Sequence, residues 1–357
     1  MTVNTGFGDA YSAAQWVEYC NANSKTVGGS WRVKNGNTKP YDVKYWCVGN
    51  EMYGNWQLGY MSLNHYAAKH NQVAKAMLKV DPKVVLIGSG DLGNGGQTFD
   101  SATPPPRGWS QGMLEMAGQN MHLISEHFYG GRVPWNTVGR QPLMKTIVEM
   151  RNSIRGKAEG HRALQKRIRQ LNGRVIPIAM DEWNYWHRDY VFGELGCSYD
   201  LADGLGIAVG LHEYFRQTDI ITIATYAQTV NVIGAIKTSR TAAEMESTGL
   251  AMMLYKRHFG NLPIEVQGTF GDLDVVAALS ADRKSVTIGV VNPTDQPVTM
   301  DFNMPGLLMD KAKTHYMTGD SPTALNLPGM RRQVDIFEAK GTTVPQLSCA
   351  VIVIPLG

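Results

Sequence analysis

Two carboxylates stand in matching settings along the chain. Glu51 closes the run Tyr45-Trp46-Cys47-Val48-Gly49-Asn50-Glu51, and Glu182 lies inside Ile178-Ala179-Met180-Asp181-Glu182-Trp183-Asn184. Each follows a short apolar run that reads as a buried strand, and each has polar and aromatic neighbours. Hydrolysis of a glycosidic bond needs such a pair: one carboxyl protonates the leaving oxygen, the other attacks the anomeric carbon or activates water, and their separation sets the stereochemical outcome. The Asn50 side chain, next to Glu51, is placed to hydrogen-bond a sugar hydroxyl. Taken singly, a strand-end acid is as often structural or metal-binding. Two in these settings argue for chemistry.

The elements that must bring the pair together follow a β/α alternation up to about residue 250. Strands are expected at Val43–Gly49, Val84–Gly88, Leu123–Glu126, Val175–Met180 and Ile220–Thr225, each apolar on both faces as a strand inside a barrel or doubly wound sheet must be. Between them, Leu63–Val80 repeats apolar residues at helical spacing and stops at Asp81-Pro82, where proline cannot continue a helix. Met144–Leu171 and Asp200–Arg216 read the same way. In a parallel barrel the C-terminal ends of all strands share one face, so distance along the chain does not keep Glu51 from Glu182. Beyond Phe259 the texture changes to β-rich runs such as Val275–Leu279, Ser285–Val291 and Ala350–Ile354, an antiparallel sandwich. The expected division is therefore a barrel over 1–258 and a sandwich over 259–357. The Gly-, Ser- and Pro-rich loop Gly88–Gly108 is the one segment that reads as a lid.

Bulk properties exclude several classes. A net charge of +3 from 34 basic and 31 acidic residues supplies no field for nucleic acid or membrane surfaces. The basic stretch Arg151–Arg174 has no interleaved aromatics for base stacking and reads as a solvated helix face. No apolar run is long enough to span a bilayer and no leader precedes the first strand, so a cytoplasmic location is expected. Cys20, Cys47, Cys197 and Cys349 lack metal or disulfide spacing and read as free thiols. Gly88-Ser89-Gly90-Asp91-Leu92-Gly93 matches a dinucleotide fingerprint, but the residues after it forbid the required helix. Gly108-Trp109-Ser110-Gln111-Gly112 matches a nucleophile elbow, but a proline run precedes it. A dehydrogenase survives only through the first of these chance matches.

The runs Trp46-Cys47-Val48-Gly49-Asn50-Glu51-Met52, Ile124-Ser125-Glu126-His127-Phe128-Tyr129, Asp181-Glu182-Trp183-Asn184-Tyr185-Trp186 and Tyr226-Ala227-Gln228, with the early Trp16-Val17-Glu18-Tyr19-Cys20-Asn21 helix, resemble the family 51 glycoside hydrolases. These are mostly α-L-arabinofuranosidases, with some endoglucanases and xylan-active members. The resemblance implies a (β/α)8 barrel followed by a β-sandwich, a retaining double displacement, an oligo- or polysaccharide substrate, and neither metal nor cofactor. It matches Glu51 to the acid/base, Glu182 to the nucleophile, and Asn50, Tyr129, Trp186 and Gln228 to substrate-site positions. The counterpart of His127 lies near the nucleophile, where a neutral imidazole can orient a carboxylate; a satisfied strand-end histidine is the alternative.

The departure from the family is at the start. Its members carry a sandwich strand and two further β/α units before the segment resembling Met1–Gly8. With Met1–Asn4 as a remnant of the third strand, six of eight barrel strands are expected, with an open edge. A fragment, a barrel completed by a second chain, and a degenerate relative stay open. So does a non-catalytic carbohydrate-binding or assembly role. The edge and the family's habit point to a homo-oligomer. In the free enzyme, burial and the charge of Glu182 should raise the pKa of Glu51.

Overall fold

A computed structural model describes residues 1–93, 99–100, 107–131, 143–187 and 195–357. The lid expected over Gly88–Gly108 therefore falls largely outside the described residues. The chain divides into two compact units. The first comprises Met1–His127, Gly156–Asp181 and Asp219–Thr225; the second comprises Phe128–Arg155, Glu182–Thr218 and Tyr226–Gly357.

The first unit is organised on a parallel sheet whose strands are β1 (Thr2–Val3), β2 (Tyr45–Val48), β3 (Val85–Gly88), β4 (Leu123–Gly130), β5 (Ile178–Tyr185) and β6 (Ile221–Tyr226), in that spatial order. Each strand is the sheet neighbour of the one before it, as in a β/α barrel. Six are present among the described residues, where eight close such a barrel. Helix α1 (Ala10–Asn21) starts at a capping box: Asp9 Oδ1 accepts the Ser12 N–H at 2.8 Å and Ser12 Oγ accepts the Asp9 N–H at 3.1 Å. Helix α2 (Val27–Lys34) follows, and α3 (Leu63–Val80) buries Leu63, Tyr66, Ala67, His70, Val73, Ala74 and Met77, a stripe at helical spacing. Val17, Trp46, Val73, Met77 and Leu86 form the core between these helices and the sheet.

A buried carboxylate pins β4. Glu126 accepts hydrogen bonds from Lys157 Nζ (2.8 Å), Ser110 Oγ (2.7 Å) and the Leu92 N–H (3.0 Å), and His161 Nε2 lies 2.7 Å away. Lys157 and His161 belong to α5 (Leu143–Gln165), and Ser110 opens α4 (Trp109–Ala117). Ser110, the serine of the elbow-like motif, is thus a buried structural donor. Two expected boundaries moved. β5 begins at Ile178 rather than Val175, because the Gln165 amide, not a ladder, holds both the N–H and the C=O of Ile176 at 2.8 Å. For the same reason α5 ends at Gln165, and only a short 3-10 turn at Arg169–Leu171 remains of the helix expected to reach 171.

In the second unit α6 (Leu201–Arg216) begins at an Asp200–Asp203 capping box and is buried on almost all sides. Gly206 on α6 faces Tyr185: a Cβ there would lie 2.0 Å from the Tyr185 hydroxyl. Helix α7 (Ser247–His258) follows a short hairpin of Ile236–Thr238 and Ala243–Met245. The chain then forms an antiparallel sheet of β7 (Leu262–Ile264), β8 (Asp274–Leu279), β9 (Ser285–Asn292), β10 (Lys313–Gly319), β11 (Val334–Lys340) and β12 (Ser348–Pro355), in the spatial order β7-β8-β9-β12-β10-β11. A two-stranded pair, Val298–Thr299 with Thr343–Val344, contributes Val298 and Val344 to the same core as Val275, Ile288 and Ile352. Asp274 on β8 meets His212 at 2.7 Å and Arg216 at 2.6 Å, tying the sheet to α6. The four cysteines are free.

Candidate active site

Glu51 stands three residues beyond β2. Gly49, between them, has φ 87°, and a Cβ there would lie 2.1 Å from Thr5 Oγ1, so the position admits only glycine. Tyr66 on α3 steadies the strand end, its hydroxyl donating to Val48 O and accepting the Ser89 N–H at 2.9 Å. Glu51 is itself left-handed, φ 46°. Non-glycine residues held there cost of order 1 kcal/mol, and they cluster at functional sites.

The Glu51 carboxylate is 13% exposed. Its Oε2 accepts from Trp56 Nε1 at 2.6 Å and Gln57 Nε2 at 3.1 Å, and its Oε1 lies 2.8 Å from His127 Nδ1. His127 Nε2 is 3.3 Å from Asp181 Oδ1, which accepts from Ser125 Oγ at 2.6 Å. Cys47 Sγ lies 3.4 Å from Asp181 Oδ2, and burial, then the Asp181 charge, pushes its thiol up to about 12. His127 therefore joins two carboxylates and orients that of Glu51.

The expected rise in the Glu51 pKa is not what the structure gives. Burial does raise it, but the hydrogen bonds from His127 and Trp56, the His127 charge and the Gln57 bond together outweigh burial and hold it below the usual carboxyl range. Of those donors His127 was among the expected site residues, whereas Trp56 and Gln57 lay outside the motifs read from the sequence. Trp56 and Gln57 sit in the loop after Glu51, and Ser125 shares a strand face with His127 two residues on, which was the available signal.

The second unit holds Glu182 on the continuation of β5. Its Oε1 accepts a hydrogen bond from the Tyr129 hydroxyl, and the Tyr129 ring packs edge-on against Trp186 with centroids 5.2 Å apart. Trp186 is fixed by Nε1–H to Leu195 O at 3.0 Å and by its backbone N–H to Gly130 O at 3.1 Å. Asn184, fully buried, reaches Ala227 O at 2.6 Å, Ile233 O at 2.7 Å and Tyr199 Oη at 2.9 Å, anchoring the segment that carries Gln228. Gln228 is exposed beyond a cis Ala227–Gln228 peptide, and its C=O accepts the Ala235 N–H at 3.1 Å. Asn50 is exposed beside Glu51. Of the expected site residues, the structure thus joins Glu51 with His127, and Glu182 with Tyr129 and Trp186.

Residues 8–134 match the family profile described as the α-L-arabinofuranosidase 1 domain, and residues 181–353 match the α-L-arabinofuranosidase C-terminal domain. The chain belongs to glycoside hydrolase family 51 and is α-L-arabinofuranosidase-like. Among its relatives, α-L-arabinofuranosidase C of Emericella nidulans is 28% identical over 369 residues, covering 95% of this chain and 70% of that protein. The intracellular exo-α-(1→5)-L-arabinofuranosidase of Acetivibrio thermocellus is 26% identical, over 82% of this chain and 61% of that one. The crystal structure of the Thermotoga maritima α-L-arabinofuranosidase in complex with arabinose superposes with a TM-score of 0.85 at 28% identity, covering 99% of this chain and 75% of that one. The fold is accordingly the family's (β/α)8-type barrel, represented among the described residues by six parallel strands, with an antiparallel β-domain after it. The protein is a glycosidase of this family. No helix among the described residues is long and apolar enough to cross a membrane.

Proposed function

We propose that this family 51 glycosidase releases α-L-arabinofuranosyl residues from arabinoxylan- or arabinan-type hemicellulose with retention of configuration, with Glu182 as nucleophile and Glu51 as acid/base. The observation that carries the reading is the Glu51 carboxylate: nearly buried, on left-handed backbone, and gripped by Trp56, Gln57 and His127. A structural acid does not require so much preorganisation at a strand end. In the first step Glu182 attacks the anomeric carbon while Glu51 gives its proton to the departing oxygen. In the second, Glu51 takes a proton from water, which displaces Glu182 from the glycosyl-enzyme. His127, backed by Asp181, positions Glu51; Tyr129 positions Glu182; Asn50, Trp186 and Gln228 contact the sugar. The names of the relatives support the furanoside.

Because the free carboxyl of Glu51 is held below its usual value, productive binding must favour its proton. An arriving glycoside that displaces the Trp56 and Gln57 donors, and excludes water, shifts the balance that way. Glu51→Gln tests the assignment. It should abolish release from natural linkages yet spare the first step on an aryl arabinofuranoside with an acidic leaving group, and added azide should then restore turnover as the glycosyl azide. Uniform loss on every substrate without azide rescue would remove Glu51 from the acid/base role. Parallel assays on arabinoxylan, linear arabinan and soluble cellulose sort the specificity.

A further inference from the structure

Apart from the residues discussed so far, the first unit carries a cleft of about 430 Å³ between α1 and α2. Its walls are aromatic. Trp31 is 62% exposed, Trp16 is 41% exposed, and the Tyr19 ring meets Trp31 edge-on with centroids 5.5 Å apart and planes at 75°. Such a corner offers flat faces in two directions, while its volume falls in the roughly 300–1,000 Å³ range of ligand pockets. Large exposed rings on a soluble surface mark a contact of some kind.

The polar groups in the cleft indicate which. Gln15 donates to the Tyr11 hydroxyl at 2.8 Å and Asn35 donates to the Tyr19 hydroxyl at 3.1 Å, so amides and phenols stand interleaved with the rings. Glu18 Oε2 is already taken by the Gly28 N–H at 2.7 Å. Among the described residues, no lysine or arginine lines the cleft, and Val27 is its single aliphatic residue. An anionic ligand finds no cation here, and the two amides beside the rings supply the donors and acceptors that stacking alone lacks. A neutral polyhydroxylated chain finds both ring faces and paired donors and acceptors.

We infer that this α1/α2 cleft is a secondary saccharide-binding site, separate from Glu51 and its partners, that holds a stretch of pentose polymer by stacking on Trp31 and hydrogen bonds to Gln15 and Asn35. The choice of a pentose polymer rests on the proposed function; the existence of a saccharide site does not. Such a site raises the local concentration of a polymeric substrate and does nothing for a small one.

The test uses the full chain and two variants, Trp31→Ala and Gln15→Ala. Trp31 is largely exposed, so its loss leaves the core intact. Affinity electrophoresis through gels containing soluble arabinoxylan or linear arabinan should retard the parent chain, and Trp31→Ala should reduce that retardation at least threefold, with Trp31→Phe recovering part of it. On polymer, KM of Trp31→Ala should rise about three- to tenfold, while kcat/KM on an aryl arabinofuranoside stays within twofold of the parent. Retardation unchanged in both variants overturns the inference. So does a Trp31→Ala chain whose solution mass falls while polymer binding stays intact, since the cleft would then seat protein. Retardation lost in the variant from a parent that hydrolyses nothing upholds the site and overturns the proposed function instead.

Discussion

Trp56→Phe isolates one of the bonds that set the charge state of Glu51. The indole Nε1–H lies 2.6 Å from Glu51 Oε2, and phenylalanine keeps a ring beside Tyr53, whose centroid is 6.0 Å away, while removing only that donor. Hydrogen bonds to charged groups contribute about 1.5–3 kcal/mol. Trp56 is 67% exposed, so the low end applies. At about 1.4 kcal/mol per pKa unit, the Glu51 carboxyl should rise by about one unit. The sign follows from what the donor stabilises: it favours the ionised form, so its loss makes the proton harder to remove. The alkaline limb of kcat/KM against pH reports the acid of the free enzyme. Measured with an aryl arabinofuranoside, that limb should move up by about one unit in Trp56→Phe while the acid limb stays in place. A limb that does not move, or moves down, would refute either Glu51 as the titrating acid or the Trp56 bond as its restraint.

Tyr129→Phe removes the hydroxyl donated to Glu182 and should lower kcat about tenfold, one hydrogen bond's worth, with little change in KM; steady-state kinetics decide it. Lys157→Met leaves the buried Glu126 charge without its cation and should cost roughly 3–5 kcal/mol in denaturant melts. Burial raises the Glu126 pKa, but the Lys157 charge and the His161 hydrogen bond hold it well below the usual range. Its stabilising contribution is therefore complete above the unfolded value, about 4.3, and is lost as pH falls below it; Lys157→Met should flatten that acid-side loss. Gly206→Ala, which in an ordinary helix interior would gain about 1 kcal/mol, should instead lower the melting temperature, because the new methyl meets the Tyr185 hydroxyl that donates to Thr146 O at 2.8 Å.

Much of the scaffold was legible because its signals are local. The Leu63–Val80 helix follows from apolar spacing and a proline stop, and the Asp200–Arg216 helix from the same kind of spacing; the first appears as expected and the second starts one residue later, at Leu201. The β4 and β5 strands were legible as apolar runs but extend to Gly130 and Tyr185, well past Glu126 and Met180. Those extensions carry the polar residues His127, Tyr129 and Glu182, which apolar patterning cannot recognise as strand. α2 was not foreseen: its Val-Gly-Gly-Ser start reads as loop, yet Thr26 caps it, and the buried Arg32 guanidinium ties it to Tyr19 O at 2.7 Å. In the candidate site the two glutamates are proposed from motif. The Glu51 pKa direction was not legible, because it depends on three donors brought in by a loop and another strand, whose net effect exceeds that of burial. Distances of that kind are properties of the fold rather than of any window of sequence.

The central claim is that Glu182 becomes covalently linked to the sugar while Glu51 handles the proton. Peptide mass spectrometry of the full chain, after incubation with a slow 2-fluoro-substituted activated arabinofuranoside, tests it most directly. The account predicts a single glycosylated peptide with the sugar on Glu182, as a retaining double displacement requires. A sugar on Glu51 or elsewhere, or no adduct from a chain that releases arabinose with inverted configuration, would contradict it.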